Sequence, residues 1–372
     1  MRMREIASIE IHALVRELAP LEGSFFRKFY DLGDGAFKFT LSKERKNRIL
    51  YINLLRAFNE TEFSEEAESA TQFAIAVRKR LDGTRLKSIT QRGSDRIIVM
   101  EFEGKQVYKL IFEMFGKGNL VVVNGTGKIE LVYSPVRQKD RDVLPNREYK
   151  FPESGGIPFD EAGDKLDDIL EKAGASDARI ITELSGQINL GPMYLEDVLL
   201  TAGINPKEKA SATTGSHRKL REALLSFLRE TENPRPAIYT RGGESVDYSL
   251  VPLKKYADLE RIEYASLGAL LDTLYLSERS KVRDDRKGEE LKEARSNVEK
   301  QIEAAKRLKV ESEESAKEAH LMLMKMKEIN EIIAYMRANR RATAEELQGA
   351  FKNVKIKNID LKNKTVTIEI GE

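Results

Sequence analysis

A long stretch near the C-terminus lacks both Gly and Pro and repeats its apolar residues at helical spacing. It covers residues 289–348, and between positions 291 and 333 its apolar residues recur mostly at intervals of three and four. A period near 3.5 over about six heptads is typical of a coiled coil, in which a narrow apolar seam packs against a partner helix. The sequence therefore predicts a long helical arm that needs a second helix to cover its seam.

The segment after this arm is too short to supply that second helix. Two strand-like runs follow it, at residues 354–361 and 364–370. We therefore expect one of two situations. Either the arm self-associates with a second copy, or the sequence is the N-terminal part of a longer protein, which is the interpretation we favour.

Upstream of the arm, short β-type runs alternate with amphipathic helical patterns. Five strand-like runs between residues 86 and 133 are joined by hairpin-length turns, and three more runs lie between residues 25 and 52. Turns this short connect antiparallel neighbours, so we predict a meander. Helices are expected at residues 7–19, with Ser8 as candidate N-cap, and at residues 62–81. The predicted fold class is α+β.

Residues 177–202 have the pattern of a helix, a tight turn and a second helix. The turn, Leu190-Gly191-Pro192-Met193, places a Gly between apolar residues, as in helix–hairpin–helix motifs. In such motifs, backbone N–H groups at the turn and at the next helix N-terminus bind phosphate oxygens. Gly191 is therefore a candidate phosphate-binding position, although Pro192 removes one donor, and a pure packing role is the alternative. Lys117, in a Gly-rich turn between strands, is a further candidate.

The composition excludes several kinds of chemistry. The sequence has no Cys, and its three His, which are His12, His217 and His320, lie far apart. These counts exclude a disulfide framework, a thiol nucleophile and a thiolate zinc site, so we expect no metal and no cofactor. No apolar run approaches the length of a membrane-spanning helix, and the first residues lack the apolar core of a secretory signal. We therefore expect a cytoplasmic protein that does not enter a membrane.

Basic residues cluster locally, although the whole chain is close to neutral. The 63 Lys+Arg and 61 Asp+Glu give a net charge of +2. Residues 78–96 hold seven Lys and Arg against two Asp, and residues 137–150 hold five against three acidic residues. Such a local excess is typical of a polyanion-binding surface, and an ordinary solvated turn surface is the alternative. The Asp95-Arg96 pair adds groups that can bond a base edge and a phosphate.

Six stretches, in order along the chain, resemble one family. They are residues 8–10, 89–97, 113–121 and 141–149, the helix–hairpin–helix, and residues 251–253. Together they resemble the N-terminal part of the NFACT proteins. That family includes the ribosome quality-control factor NEMF, its bacterial and archaeal counterparts, and the proteins once called fibronectin-binding protein A. The resemblance covers essentially the whole chain, and we expect a bacterial or archaeal member.

The resemblance implies a division into domains. An NFACT-N domain, similar in fold to the N-terminal domain of formamidopyrimidine-DNA glycosylases, would cover residues 1–175. A helix–hairpin–helix domain with a following hairpin would cover residues 176–263. Residues 264–348 would form the first arm of a coiled coil, and residues 349–372 would belong to its tip.

The resemblance also implies a function. Family members bind a large ribosomal subunit that still holds peptidyl-tRNA after a stall, and they recruit tRNA, which we expect to be tRNA-Ala. The nascent chain then receives a template-free C-terminal alanine tail. Because the ribosome performs the peptide transfer, we expect no enzyme activity of the chain itself.

The predicted tRNA-binding residues come from two sources. Asp95 and Arg96 match the family's Asp-Arg pair, and Glu10 stands where the family usually has an Asp. Arg92 and Arg141, from the two basic clusters, complete the set. A DNA glycosylase or lyase, suggested by fold analogy only, and a fibronectin-binding surface adhesin remain alternative functions. The catalytic N-terminal Pro of the glycosylases is absent here.

Overall fold

The structure is a computed structural model that describes residues 3–62, 70–137, 141–154, 156–360, 363 and 365–369. It describes no side chains at positions 160, 163 and 279–291. The chain divides into two compact units, Met1–Lys281 and Val282–Glu372. The predicted domain boundaries near 175 and 263 both fall inside the first unit, where residues on either side of them share one apolar core.

One antiparallel sheet of nine strands dominates the first unit, in the order β4-β3-β2-β1-β5-β6-β7-β8-β9. Its strands are β1 (Phe25–Gly33), β2 (Ala36–Lys43), β3 (Lys46–Asn53), β4 (Ala57–Thr61), β5 (Arg85–Gln91), β6 (Ile97–Glu103), β7 (Val107–Glu113), β8 (Asn119–Asn124) and β9 (Ile129–Val132). The predicted five-stranded meander is confirmed as β5–β9. Strand β4 was not predicted, since residues 57–61 are short and polar at one end.

The sheet folds over on itself at its centre. Strands β1 and β5 pair at a single register position, Phe25 with Arg85, so little of the ladder continues across this junction. Aromatic rings from the two halves meet in the interior, where Phe39 and Phe58 of the first half both contact Phe112 of β7. These edge-to-face contacts fix how the two halves face each other.

The outer face of β6–β9 carries a smaller apolar cluster. Ile97, Ile111, Val121 and Ile129 are buried there, covered by Val143 and the partly buried Tyr149. The chain after β9 therefore wraps back across the meander, through the short paired strands β10 (Val136–Arg137) and β11 (Asp142–Val143). This wrapping brings the segment around residues 141–154 to the end of the sheet where β6 begins.

The helices of the first unit pack on the same core as the sheet. They are α1 (Ser8–Leu18), α2 (Gln72–Leu81), α3 (Phe159–Gly174), α4 (Ile180–Gln187), α5 (Pro192–Thr201) and α6 (His217–Glu232). The predicted pair of helices with a tight turn between them is observed as α4 and α5, while the helix–hairpin–helix motif stays a prediction. The predicted N-cap of α1, Ser8, is wrong by one position, because Ala7 is the N-cap residue. The Ala7 N–H donates a hydrogen bond to the Glu10 carboxylate. Part of the helix predicted at 62–81 lies outside the described residues, and α3 was not predicted.

A three-stranded sheet follows α6 and precedes the long helix. It is built from β12 (Ala237–Arg241), β13 (Glu244–Ser249) and β14 (Glu260–Glu263), with β12 in the centre. The helix α7 (Leu267–Met324) begins next to it. Its first N–H groups, at Leu267 and Gly268, donate to the Glu17 carboxylate at 2.8 and 2.9 Å. A side chain of α1 thus satisfies two helix donors that would otherwise lack partners.

The predicted arm is not one continuous helix to residue 348. Helix α7 ends at Met324, α8 (Met326–Ala338) follows, and a short α9 (Ala344–Ala350) leads to the hairpin of β15 (Lys355–Asp360) and β16 (Thr365–Glu369). Thr343 and Glu346 form a capping box that starts a new helix at this point, as such boxes do. Seam residues of the arm are exposed, for example Ile302 and Leu308.

Within the second unit, α8, α9 and the hairpin enclose a separate small core that includes the buried Ile332 and Leu347. Among the described helices of the whole chain, none is long and apolar enough to cross a membrane. The described residues also contain no group of His, Asp or Glu side chains placed to hold a metal ion.

Candidate nucleic-acid interface

The turn between β5 and β6, residues 92–96, is the meeting point of three other segments. The Ser94 carbonyl accepts a hydrogen bond from the Ser8 hydroxyl at the start of α1, and the Ser94 hydroxyl accepts one from the N–H of Phe159 at 2.8 Å. Gln91 donates to the carbonyls of Ser8 and Asp95 at 3.0 and 2.9 Å. These bonds fix the turn against α1 and against the start of α3.

Asp95 is nearly buried, and its carboxylate links three segments of the chain through hydrogen bonds. Only 8% of the residue is exposed. One carboxylate oxygen accepts hydrogen bonds from the Ser154 hydroxyl at 2.9 Å and from the Asn189 amide at 3.4 Å, and the other lies 3.4 Å from an Arg92 nitrogen. Asp95 thereby ties its own turn to the segment before α3 and to the α4–α5 turn. Ser154 and Asn189 were not predicted, since no periodic pattern marks them.

Arg96 is placed differently from its neighbour. About a third of its side chain, 32%, is exposed, and its guanidinium pairs with the Glu5 carboxylate at 2.7 Å, which is itself 52% exposed. Ion pairs this open to water contribute about 0–1 kcal/mol. A phosphate group can therefore replace Glu5 at small cost, and Arg96 is the member of the predicted pair that can contact a ligand directly.

Arg92 and Arg141 lie on either side of two aromatic rings. The Arg92 guanidinium lies 4.4 Å from the Phe151 ring centroid, and that of Arg141 lies 5.9 Å from the Tyr149 centroid. Arg141 and the Tyr149 hydroxyl both donate to Glu113, at 2.7 and 2.8 Å. Burial, with the Glu113 carboxylate second, raises the pKa of Tyr149, so its hydroxyl stays protonated and donates.

Glu10 is fully buried, and its predicted role in tRNA binding stays a prediction. Its carboxylate forms an ion pair with Arg4 and accepts hydrogen bonds from the Ala7 N–H at 2.7 Å and the Tyr194 hydroxyl at 2.6 Å. A carboxylate with no exposed surface cannot touch a ligand unless the fold opens. In this structure the Glu10 carboxylate joins α1 to α5 through the Tyr194 hydroxyl.

The Glu10 network extends to the three-stranded sheet. Arg4 also donates to Asp247 at 3.2 Å and to the carbonyl of Tyr248 at 3.1 Å, and its guanidinium lies 4.0 Å above the Tyr248 ring. Burial alone would lower the pKa of Arg4, but the Glu10 carboxylate and, to a smaller extent, Tyr248 and Tyr194 together raise the pKa above its usual value. Burial and then Glu10 raise the pKa of Tyr194. Arg4 thus stays charged, and the Tyr194 phenol stays neutral.

Gly191, the residue before α5, has a backbone conformation that suits only Gly. Its φ is +100° and its ψ is 142°. A Cβ placed on it would lie 3.1 Å from the Ala7 Cβ, so this position lets the α4–α5 turn approach the start of α1. A phosphate role for Gly191 stays a prediction, while the close approach gives the Gly a packing reason of its own.

We predict that Gly191→Ala destabilises the protein by about 1–3 kcal/mol, the usual cost of a strained backbone conformation. Gly203→Ala is the matched control, because Gly203 also has a positive φ, +73°, but nothing lies within 4 Å of its added Cβ. Chemical denaturation of both variants measures the effect. Equal losses in the two variants would show that the contact with Ala7 carries no cost.

The basic run at 78–96 is not one surface, which corrects the sequence interpretation. It is divided by β5, whose seven residues place its two ends about 20 Å apart at 3.3 Å each. At the far end, Arg80 pairs with Glu130 and Arg85 lies on Phe25. Only Arg92 and Arg96 reach the candidate interface.

The turn between β7 and β8, which carries Lys117, is at the same end of the sheet as the Asp95 turn. Strands β6 and β7 are antiparallel, Ile97 pairs with Glu113, and the Met114 N–H donates to the Arg96 carbonyl at 2.8 Å. Lys117 is exposed in this turn. Arg92, Arg96, Arg141 and Lys117 therefore come to one end of the meander from three separate parts of the sequence.

Fold and site together define an α+β protein in which the nine-stranded sheet and the helices α4 and α5 meet at the basic turn of residues 92–96. The family model for NFACT N-terminal and middle domains matches residues 7–371. The chain therefore belongs to the NFACT family, as its motifs predicted.

Relatives and solved structures agree with this assignment. The chain is 28% identical over 288 residues to the archaeal Rqc2 homolog aRqcH of Methanocaldococcus jannaschii, covering 74% of this chain and 42% of that protein. It is 25% identical over 310 residues to the Rqc2 homolog RqcH of Bacillus subtilis, covering 76% and 51%. The chain thus spans about half the length of these relatives.

The fold is shared with solved structures. The fibrinogen binding protein from Staphylococcus aureus matches with a TM-score of 0.61 and 21% identity over 72% of this chain and 98% of that one. The N-terminal part of the fibronectin/fibrinogen-binding protein from Streptococcus suis matches with a TM-score of 0.57 and 19% identity over 73% and 99%. These matches confirm the predicted α+β class.

Proposed function

We propose that this chain is part of a ribosome quality-control factor that binds the stalled large ribosomal subunit with its peptidyl-tRNA. Two relatives that match most of the chain are named Rqc2 homologs, one archaeal and one bacterial. In this proposal the protein acts in the cytoplasm. Its partners are the large ribosomal subunit, peptidyl-tRNA and a recruited tRNA, which we propose to be tRNA-Ala. The recruited tRNA supports template-free alanine tailing, with the ribosome itself forming the peptide bonds.

The observation that carries this proposal is the basic end of the meander. Arginines from two distant parts of the sequence meet there, Arg92 and Arg96 from one turn and Arg141 from another segment. Among the described residues, the Arg96 side chain is held by one exposed ion pair. An anionic ligand can take the place of Glu5 on Arg96 without breaking the fold. A turn held rigidly by Asp95 presents that guanidinium in a fixed position, which is how a protein lowers the entropic cost of bringing reactants together.

The exposed seam of α7 suggests one further partner. Val298 and Ile302 are each more than half exposed, at 53% and 51%. We propose that a second helix covers this seam, either from a second copy of the chain or from a longer form of the same protein. Sedimentation of the purified chain distinguishes a monomer from a dimer.

The function is tested with purified large subunits that carry peptidyl-tRNA. We expect the wild-type chain to sediment with them and to retain tRNA, and the Asp95→Ala/Arg96→Ala variant to bind tRNA about tenfold or more weakly, since a hydrogen bond to a charged group contributes about 1.5–3 kcal/mol. Asp82→Ala/Arg85→Ala is the matched control, with the same charges removed at the other end of β5. Equal tRNA retention by both double variants would contradict the proposed site.

A further inference from the structure

A row of four side chains, two aromatic rings with an arginine at each end, lies beside the Asp95 turn. Arg92 covers Phe151 at 4.4 Å, Phe151 meets Tyr149 edge to face with ring centroids 5.0 Å apart, and Tyr149 faces Arg141 at 5.9 Å. We call these four side chains the arginine–aromatic row. Phe151 was not predicted from the sequence, and the only local signal is the spacing of Tyr149 and Phe151 by two positions next to basic residues.

The row is held in place by hydrogen bonds at both ends. Arg92 donates to the carbonyl of Pro152 at 2.6 Å, which fixes its guanidinium against the neighbouring ring. At the other end, Arg141 and Tyr149 share the Glu113 carboxylate, and the Tyr149 N–H donates to the carbonyl of Gly127 at 2.9 Å. The rings are therefore pre-organised, and little conformational entropy remains to be lost when a ligand binds.

Phe151 is open to solvent in spite of its size. It is 39% exposed, while large aromatic side chains usually gain most from full burial. Its neighbour Arg92 brings a cation to the ring, and the phosphate-competent Arg96 follows four positions later on the same turn. An exposed ring next to cations is the arrangement with which proteins bind unpaired nucleic-acid bases, because bases stack on the ring while the cations neutralise phosphates.

We propose that Phe151, backed by Arg92, is a stacking platform for an unpaired base of an RNA loop. This inference rests on the proposed function, because it takes the RNA to be the ligand whose phosphate Arg96 binds. Bases inside a duplex are stacked on each other and cannot reach the ring, so the platform selects single-stranded loops over helices. Every base has a π-face, so the platform contributes affinity without selecting base identity.

The chain contains a closely matched control for this proposal. Phe25 is 44% exposed and lies 4.5 Å from the Arg85 guanidinium, which is the same combination of exposure and cation contact. It pairs with Arg85 at the opposite end of β5 from the Asp95 turn. Phe25 and Phe151 therefore differ mainly in their place on the molecule.

The experiment uses a stem-loop RNA with 2-aminopurine in its loop and a duplex of the same stem without a loop. At fixed salt, we expect Phe151→Leu to weaken stem-loop binding by about 5- to 100-fold, the effect of losing one stacked base. We also expect it to abolish the fluorescence quenching of the 2-aminopurine. Phe151→Trp retains the π-face and is expected to restore both signals. Phe25→Leu is expected to match the wild type, and the duplex to bind all variants equally.

Stem-loop binding by Phe151→Leu within twofold of the wild type would overturn the inference, and so would an equal loss in Phe25→Leu. Arg96→Ala separates this failure from that of the proposed function. If Arg96→Ala loses RNA binding while Phe151→Leu retains it, the stacking platform is wrong and the tRNA site stands. If neither change affects binding, the RNA site itself lies elsewhere and both proposals fail.

Discussion

Glu10→Ala is expected to lower the free energy of unfolding by about 3–5 kcal/mol, the usual cost of removing one partner from a buried ion pair. The change leaves the partly buried Arg4 guanidinium without its main counter-charge, and it removes the acceptor of the Tyr194 hydroxyl. Because this network joins α1, α5 and the three-stranded sheet, the loss affects the packing of the whole first unit. Chemical denaturation followed by circular dichroism measures it.

A control for this prediction is another glutamate that pairs with an arginine at the surface. Glu60 makes two hydrogen bonds to Arg48, with both side chains well exposed at 34% and 45%. Glu60→Ala is expected to cost about 1 kcal/mol or less, since solvent screens exposed pairs. If the two variants lose similar stability, burial of the Glu10 carboxylate does not have the energetic role we assign to it.

A double-mutant cycle tests the pair directly. Arg4→Met leaves the buried Glu10 carboxylate without its counter-charge, and Glu10→Leu leaves Arg4 with only Asp247 as its acidic partner among the described residues. The double variant removes both charges. The combined loss is therefore expected to be smaller than the sum of the two single losses by about 1.5–3 kcal/mol. Additive losses would mean that Arg4 and Glu10 stabilise the fold independently of each other.

Arg96→Ala is expected to weaken tRNA binding by about tenfold or more while changing the stability by less than about 0.5 kcal/mol. The binding loss follows from a lost charge-assisted contact to phosphate. The small stability change follows from the exposure of the pair with Glu5, since surface substitutions away from buried features rarely cost more. Fluorescence anisotropy with labelled tRNA and chemical denaturation give the two values.

Asp95→Ala, in contrast to Arg96→Ala, is expected to lower the stability of the fold as well as tRNA binding. Its carboxylate bonds three other side chains and is mostly buried, so its removal is expected to cost about 1–3 kcal/mol of stability. Binding then weakens because the turn that carries Arg96 loses its fixed position. We therefore expect the two residues of this motif to have different roles, with Asp95 positioning the turn and Arg96 contacting the ligand.

Salt dependence separates these two roles. A residue that contacts phosphate lowers the slope of log K against log[salt] by about one when it is removed, and a positioning residue leaves that slope unchanged. We therefore expect a reduced slope for Arg96→Ala and an unchanged slope for Asp95→Ala. Reduced slopes of equal size in both variants would contradict the division, since Asp95 carries no positive charge that could release counterions.

Much of the secondary structure follows from local sequence patterns. The meander β5–β9 was predicted because its turns are short and its strands are bounded by Gly, and the pair α4 and α5 was predicted from the turn at Gly191. The arm was predicted from periodicity, but its end at Ala338 was not. The periodic pattern continues past the real end of the helix. The capping box that starts α9 involves only the side chains of Thr343 and Glu346, which is a weak signal in the sequence.

The candidate site was predicted less completely than the fold. Arg92, Arg96 and Arg141 were named and lie at one end of the sheet, whereas Glu10 was named and lies in the interior. Phe151 was not named. The difference is physical, since a local excess of basic residues is visible in the sequence, but the burial of a carboxylate depends on what folds over it.

The sequence by itself determined the periodic elements, the absence of cysteine chemistry and the family, because each of these depends only on composition or on residues close together in the chain. Only the tertiary structure decided which charges share a surface. It separated Arg85 from Arg92 by the length of one strand, and it brought Arg141 to the Asp95 turn by wrapping the chain across the outer face of the meander. The near-neutral total charge contains no information on that arrangement, because contacts between distant segments depend on how the sheet folds over on itself.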